Sequence, residues 1–554
     1  MTSTPRDTTL RPYAERPIDP EWTPTTVLAA LDAAVRTCPD STFLMFEDGS
    51  WTFAELDALS RRLAGHLSAR GIGRGDRVGS MLDTGIAPLA TWFATNRLGA
   101  IWVPFNTSYR GSFLEYQLRD SSPGVVVADE QYVERLLELD PVIAAATTLL
   151  VRGDAPPEHR HVHIAHWDEA CSQDLAVPTM DVDPGDTAML IYTSGTTGPS
   201  KGCIVSHGYI SHMAHQSNLA VPPRDGDVHY TPLPLFHAAA IDTTLAALQC
   251  RQPIFLARRF SVSRFWSQIE QSGATTARLL STILPLLADA PSSPEEVRCR
   301  GQLRAITGSM IASELRAEWM TRFGVKFMNN FSYGQTEACR LTSAREGEEL
   351  PPESSVGWIE RDTFDVVVVD TDGRPVSQGE IGEIAVRPLR ERVMFGGYWG
   401  KGGLADYLDE SGRFRTGDLG RIVRGALYFV DRAKDYLRNK GENVSSFEVE
   451  ALLISHPDVI EAAVHAAHEC LAEDDIKATV VLRAGATVTE SQLWEWCRTR
   501  LPGFAVPRYV EFRADLPRTG NGKVRKVELR AEGVTSATWS RPPTSRPAFE
   551  KVGR

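Results

Sequence analysis

The 554-residue chain carries 59 Lys+Arg against 71 Asp+Glu, a formal net charge of −12, with 42% apolar and 23% charged residues. That is the balance of an ordinary globular chain with room for a large core and about two to four domain-sized units, which excludes a disordered polymer. The acidic sum lacks the basic footprint of a general nucleic-acid binder, apolar runs such as Val142–Ala146 are too short to cross a bilayer, and Met1-Thr-Ser-Thr-Pro-Arg-Asp7 shows no secretory leader.

Residues 1–25 are rich in Pro, Thr and charge and read as an arm over the surface. From Thr26 to Gly111 helical stretches alternate with short apolar strands. Ala54–Leu67 has apolar residues at helix spacing, and Arg77–Leu82 reads as a strand. Val125–Ala128, Thr148–Val151 and Ala188–Tyr192 read as further buried strands, so the alternation predicts α/β layering with a largely parallel core. Between about 363 and 430 the texture changes to short strands (Phe364–Asp370, Gly382–Arg387, Ala426–Val430) joined by Asp-Gly and Gly-Glu turns, a small β subdomain. Beyond Lys434, Ser445-Ser-Phe-Glu448 reads as a capping box opening a helix that His456-Pro457 closes. Strands Val459–His465 and Ile476–Arg483 follow, then a helix with Thr489-Glu-Ser-Gln492 as its cap. The predicted fold class is therefore α/β: a large N-terminal domain of layered subdomains (1–433) and a small α/β C-terminal domain (434–554) with a frayed tail after 530. Eight cysteines at least 27 residues apart, with no CxxC, fit a cytoplasmic protein with free thiols better than a disulfide or zinc scaffold.

The chemistry concentrates in Ile191–His207. An apolar strand enters, eight of the ten residues from Thr193 to Gly202 are small, hydroxyl-bearing or glycine, and an apolar segment leaves. Gly195 and its neighbours let backbone amides converge on an anion, Thr193, Ser194, Thr196 and Thr197 add hydroxyl donors, and Lys201 adds a charge. This is phosphate-cradling chemistry without Walker A spacing. Two other groups carry less. His159, His161 and His163 alternate along one strand face but lack further ligands at motif spacing, and His207, His212 and His215 share no clean helical stripe.

Tyr192–Gly202 resembles the phosphate loop of the adenylate-forming superfamily, which includes acyl- and aryl-CoA synthetases, peptide-synthetase adenylation domains and luciferases. Five further segments resemble that family's motifs in order: Pro234-Leu-Phe-His237, Asn330-Phe-Ser-Tyr-Gly-Gln-Thr-Glu337, Arg415-Thr-Gly-Asp418, Asp431-Arg-Ala-Lys-Asp435 and Gly520-Asn-Gly-Lys523. The similarity spans roughly residues 25 to 530. Phe429–Glu450 most resembles acyl-CoA ligases of the carnitine and crotonobetaine type, and no carrier-protein domain follows.

The resemblance implies ATP, Mg²⁺ and coenzyme A as partners of a small carboxylic acid, with neither nucleic acid nor membrane, in a monomer or homodimer. Glu337 and Thr196 would hold Mg²⁺, and Lys201 and the hydroxyl loop the β- and γ-phosphates. Gly308, Ser309, Asn330, Phe331, Ser332, Tyr333, Gly334 and Thr336 would border the nucleotide, Tyr333 facing adenine and Thr336 the α-phosphate. Asp418 would accept from the ribose hydroxyls, and Arg432 would contact ribose or phosphate. His237 would gate the acyl tunnel. Lys434 would be the pivot of the mobile domain, Gly441 would line a pantetheine tunnel, and Lys523 would align the carboxylate with the α-phosphate. The acid's pocket would draw on His237, Thr282, Gly308–Met310 and Phe331–Tyr333.

Departures from the family leave alternatives open. Gln335 stands where many relatives carry Met, Pro or Leu, and Thr307-Gly-Ser-Met310 replaces a Gly/Ala/Pro-rich stretch. Arg340 reads either as a surface arginine or as a reach toward an acidic or polar group on the substrate. An ATP-dependent diazotase activating nitrite toward an aryl amine, and an amide synthetase, stand beside CoA thioesterification. A non-catalytic nucleotide sensor would be expected to lose Lys523, Glu337 or Lys201, and all three are present.

Overall fold

The computed structural model describes residues 10–541 apart from 16–21, 140–141, 144–147, 155–158, 194–199, 282, 309–310, 312, 330, 433–436, 440–441, 471–472, 502, 504, 519–521 and 523. Two seven-stranded sheets form the large N-terminal part. In the first, Arg77–Met81, Ile101–Pro104, Val125–Asp129, Thr148–Arg152, His163–His166 and Thr187–Thr193 run parallel, and Lys201–Ser206 closes one edge as an antiparallel hairpin with Thr187–Thr193. In the second, Phe327–Asn329, Ala305–Thr307, Thr276–Arg278, His229–Thr231, Ile254–Leu256 and Thr42–Phe46 run parallel, with Gly49–Thr52 antiparallel at the edge.

These strands are near-continuous apolar runs because both faces are covered by helices. The helices Val27–Thr37, Phe53–Ala69, Ile86–Arg97, His207–Ala220 and Ala238–Cys250 bury large side chains between the layers, among them Trp92 stacked on Trp102 with ring centroids 5.4 Å apart. The helix Phe53–Ala69 starts where its sequence says: the Thr52 hydroxyl accepts from the Glu55 amide, and the Glu55 carboxylate accepts from the Thr52 amide. Among the described residues no helix is long and apolar enough to cross a membrane.

A six-stranded antiparallel sheet spans Thr342 to Arg432, and the 363–430 stretch supplies four of its strands. The arm does lie on this sheet, where Tyr13 stacks on Trp358 at 4.5 Å and donates its hydroxyl to the Ile359 carbonyl. His163–His166 is an edge strand with His163 exposed, and among the described residues no group of three or more His, Cys, Asp or Glu is placed to hold a metal ion.

The C-terminal part has its own four-stranded sheet, Val459–Cys470, Glu473–Leu482, Tyr509–Arg513 and Trp539–Ser540, covered by the helices Ser446–Ile454 and Glu490–Arg498. One expectation is corrected here, for the described residues up to 541. The chain does not fray at 530: the helix Lys526–Glu532 continues past it, and Trp539 pairs with Val510 and packs into this core, because its indole finds apolar neighbours. The Ser445 hydroxyl donates to the Val430 carbonyl, and the side chain of Glu448, the other half of the expected capping box, lies outside what the structure describes. The Ser446 amide is met by the Asp431 carboxylate at 2.6 Å, a negative group at a helix N-terminus. Thr489–Gln492 does form its capping box.

A buried pair fixes the tail. Lys477 Nζ lies 2.6 Å from Glu511, which also accepts from Thr535, Thr538 and Arg513. Burial alone would raise the Glu511 carboxyl, but these donors outweigh it and hold it down at about 2. A carboxyl whose folded pKa is depressed stabilises the fold above its unfolded value near 4.3, and this contribution fades as pH falls toward 2. Replacing Glu511 by Gln should cost about 3 kcal/mol at pH 7. In urea titrations the gap between wild type and Glu511→Gln should be full above pH 4.5 and shrink below it; a gap independent of pH would contradict the pairing.

Candidate active site

The hydroxyl-rich segment lies at the tip of the hairpin Thr187–Thr193 and Lys201–Ser206, whose register pairs Thr193 with Lys201 and Tyr192 with Gly202. Ser194, Gly195, Thr196 and Thr197 lie outside the described residues, as do Ser309, Asn330, Lys434, Gly441, Lys523 and Thr282. The flanks of the Lys523 turn are described: Arg518 and Val524 form a β-bridge, and the Arg525 amide donates to the Pro517 carbonyl.

Lys201 and Glu337, 136 residues apart in sequence, meet across one ring. Lys201 Nζ is 4.6 Å from the centroid of Tyr398, and the Tyr398 hydroxyl donates to Glu337 Oε1 at 2.7 Å. The backbone makes this possible. The segment through Tyr398 runs beside the outgoing hairpin strand, with Gly396 N–H to Ile204 O at 2.7 Å and Trp399 N–H to Gly202 O at 2.8 Å, while Phe395 N–H holds the Glu337 carbonyl at 3.0 Å. Burial, then the neighbouring Glu337 carboxylate, push the Tyr398 phenol upward, so it stays a donor. The same influences raise the Cys203 thiol beside Glu337. Glu337 is 8% exposed, and its carboxylate is a hard oxygen donor of the kind that suits Mg²⁺.

Tyr209, fully buried on the helix after the hairpin, pins the turn carrying Glu337: its hydroxyl donates to Thr336 O at 2.9 Å and accepts from Cys339 N–H at 2.7 Å. Gly334 is required there, because a Cβ would fall 2.4 Å from the Arg340 amide nitrogen. On the other side of the turn, Asp418 gathers three partners. Its Oδ2 accepts from Tyr333 Oη at 2.7 Å and Gln335 Nε2 at 2.9 Å, while its Oδ1 is 3.8 Å from Arg432 Nε. Tyr333 is buried and its phenol is raised by burial and by Asp418.

The strands of the second parallel sheet end together at Thr231, Arg278, Thr307 and Asn329, and such carboxyl ends are where open α/β sheets bind ligands. Gly308 follows, its amide donating to Asn329 O at 3.0 Å. Phe331 is buried and Ser332 half-buried. His237 is the N-cap residue of the helix Ala238–Cys250, its ring 4.8 Å from that of Phe236.

Both readings offered for Arg340 are overturned. The residue is 3% exposed and its Nη2 bonds Ser217 at 2.6 Å and Asp242 at 3.0 Å, since a buried guanidinium needs a charged partner. Sequence reasoning missed Tyr398, whose one signal was the dense Gly396-Gly-Tyr-Trp-Gly400 run, and the function of Gln335, whose partner lies 83 residues away.

A family model described as "AMP-binding enzyme" matches residues 31–399, more than half the chain. The chain belongs to the AMP-binding enzyme family. The model of that family's C-terminal domain matches residues 448–523 of this AMP-binding enzyme. Among its relatives is the crotonobetaine/carnitine–CoA ligase of Citrobacter koseri, 29% identical over 511 residues, covering 89% of this chain and 96% of the relative. Among solved structures, the O-succinylbenzoate coenzyme A synthetase of Bacillus subtilis in complex with AMP aligns with TM-score 0.77 and 26% identity over 92% of this chain and 98% of the other. The ATP-bound MatB of Rhodopseudomonas palustris aligns with TM-score 0.78 and 26% identity over 92% and 99%.

Tyr398→Phe keeps the ring over Lys201 and removes only the donor to Glu337. Denaturant unfolding should show a loss of about 1.5–3 kcal/mol, the range for a hydrogen bond to a charged group. An unchanged midpoint would mean that the carboxylate does not depend on Tyr398.

Proposed function

We propose that this AMP-binding enzyme converts a small carboxylic acid to an acyl-adenylate with release of pyrophosphate, then transfers the acyl group to coenzyme A, leaving AMP. The single observation that carries the reading is the convergence of Lys201 and Glu337 on Tyr398 beside the hydroxyl-rich hairpin tip. CoA ligases among the relatives support it, as do neighbours whose structures hold AMP, ATP, or ATP with magnesium.

A carboxylate is a poor acyl donor because oxide would have to leave. Attack by one carboxylate oxygen on the α-phosphorus of ATP breaks the bond to the β-phosphate and makes AMP the later leaving group. Such phosphoryl chemistry is served mainly by positioning and charge stabilisation. Lys201 and the donors of Thr193, Ser194, Gly195, Thr196 and Thr197 hold the β- and γ-phosphates. Glu337, with Thr196, would hold magnesium, which when bound supplies neutralisation of phosphate charge. Asp418 keeps Oδ1 toward the ribose, its Oδ2 being committed to Tyr333 and Gln335. Arg432 lies beside it, and Thr336 and Tyr333 face the α-phosphate and the adenine. His237 gates the acid's entrance.

Lys523 belongs to a C-terminal domain that turns about Lys434. It aligns the attacking oxygen in one orientation and withdraws in the other, where Gly441 lets the pantetheine thiol approach. That motion is a gate between half-reactions. The protein acts in the cytoplasm, where ATP and CoA are supplied.

Mixing the protein with ATP, Mg²⁺ and a panel of acids should release pyrophosphate, and adding CoA should give a thioester. Release only with nitrite and an aryl amine would overturn the CoA reading in favour of a diazotase. Lys523→Ala should lower acid-dependent pyrophosphate release by at least about 100-fold while still converting a supplied acyl-adenylate to thioester. Near-normal adenylation in that variant would refute the role of Lys523.

A further inference from the structure

The turn that carries Glu337 ends on a residue unusual in both backbone and side chain. Arg340, three residues beyond Glu337, holds φ at +50°, the left-handed region that is costly for a residue with a Cβ. This reversal folds the exit of the turn onto its entry, where Gly334 leaves room for the Arg340 amide. Inside the closed loop Gln335 and Ala338 exchange backbone hydrogen bonds at 3.1 and 3.2 Å. The guanidinium then runs inward: Nη2 donates to Ser217 Oγ at 2.6 Å and to Asp242 Oδ2 at 3.0 Å, and the Asp242 side chain is itself 1% exposed.

Two helices supply these partners. On His207–Ala220, Tyr209 and Gln216 lie two turns apart along one face and both grip the loop, Tyr209 at Thr336 O and Cys339 N–H, and Gln216 through Nε2 to Arg340 O at 3.1 Å. Those contacts take main-chain groups and would accept any residue at 340. The bonds to Ser217 and Asp242 take the side chain, and through Asp242 they tie the loop to Ala238–Cys250, the helix that begins after His237.

Stability alone does not account for this arrangement. A buried ion pair is often no more stabilising than an apolar pair of similar volume, and left-handed backbone at a non-glycine residue adds strain. Arg340 Nε, moreover, has no hydrogen-bond partner among the described residues. Strain and a buried charge, both held three residues from the acidic group of the site, point to a role in its geometry.

We propose that Arg340 is a positioning residue for Glu337: its side chain, anchored on Asp242 and Ser217, holds the exit of the turn in the left-handed conformation and so fixes where the Glu337 carboxylate points. Arg340 acts through Glu337 and touches no substrate. The inference rests on the role given to Glu337 above and adds the residue that sets its geometry.

The test compares the full-length wild type with Arg340→Lys and with the double variant Arg340→Met/Asp242→Leu, which removes both charges together so that neither is left unpaired. Three measurements are made: hydrogen exchange of the amides of residues 331–342 without nucleotide, acid-dependent exchange of labelled pyrophosphate into ATP across Mg²⁺ concentrations, and thioester formation from CoA and a supplied acyl-adenylate, a half-reaction without the triphosphate. In the double variant the turn amides should exchange about tenfold faster, and pyrophosphate exchange should fall about 10–100-fold with a raised Mg²⁺ requirement, while thioester formation stays within about twofold of wild type. Arg340→Lys keeps the charge without the planar fork and should show a smaller loss in the same half-reaction. If the double variant does not fold, Arg340→Lys decides by the same comparison. Equal losses in both half-reactions, or unchanged turn protection and unchanged Mg²⁺ dependence in a folded variant, would overturn the positioning role. Wild type without acid-dependent exchange would overturn the adenylation reading itself, and this inference with it.

Discussion

The contact on which the site depends is the Tyr398 ring, with the Lys201 ammonium on its face and its hydroxyl on the Glu337 carboxylate. Lys201 opens the strand leaving the hairpin tip, and Glu337 ends the turn that begins at Phe331. The Tyr209 hydroxyl and the Phe395 amide already hold the turn, and the Tyr398 ring adds the contact that joins the two charged side chains. A cation over an aromatic face contributes about 0.5–2 kcal/mol, and a hydrogen bond to a carboxylate about 1.5–3 kcal/mol. Both are modest beside the burial of the two sheets. What the link provides is geometry: an ammonium and a carboxylate held on one ring.

The rest of the site follows from the parallel sheets. Strands that end together at Thr231, Arg278, Thr307 and Asn329 place their following loops in one crevice. Tyr209 and Gly334 hold the Glu337 turn from within, and Tyr333 and Gln335 fix one oxygen of Asp418 so that the other is presented. The Arg340–Asp242 pair, Nη2 to Oδ2 at 3.0 Å, is buried and its charges meet each other.

Local signals were legible in the sequence because their causes are local. The boxes at Thr52 and Thr489 form as read, and the strands from Arg77 to Tyr192 appear at the expected places, since capping and apolar patterning act over a few residues. Features with distant partners were not. The Asp431 carboxylate meets the Ser446 amide from a strand fifteen residues earlier, a contact no local pattern shows. The segment beyond Arg530 has the composition of a loose tail, yet Trp539 has a core to enter. Arg340 drew attention as the arginine near Glu337, but its partners Ser217 and Asp242, 123 and 98 residues away, make it half of a buried pair. Tyr398 was invisible for the same reason: its partners are 61 and 197 residues away.

The most direct measurement is acid-dependent exchange of labelled pyrophosphate into ATP, which reports the first half-reaction without a second nucleophile, in wild type and in Glu337→Gln across a range of Mg²⁺ concentrations. Exchange should require both acid and Mg²⁺ and fall by at least about 100-fold in Glu337→Gln, with part of the loss recovered at high Mg²⁺. Exchange that proceeds without acid, or that is unaffected by Glu337→Gln at every Mg²⁺ concentration, would contradict a nucleotide–metal site built on the Lys201–Tyr398–Glu337 contact.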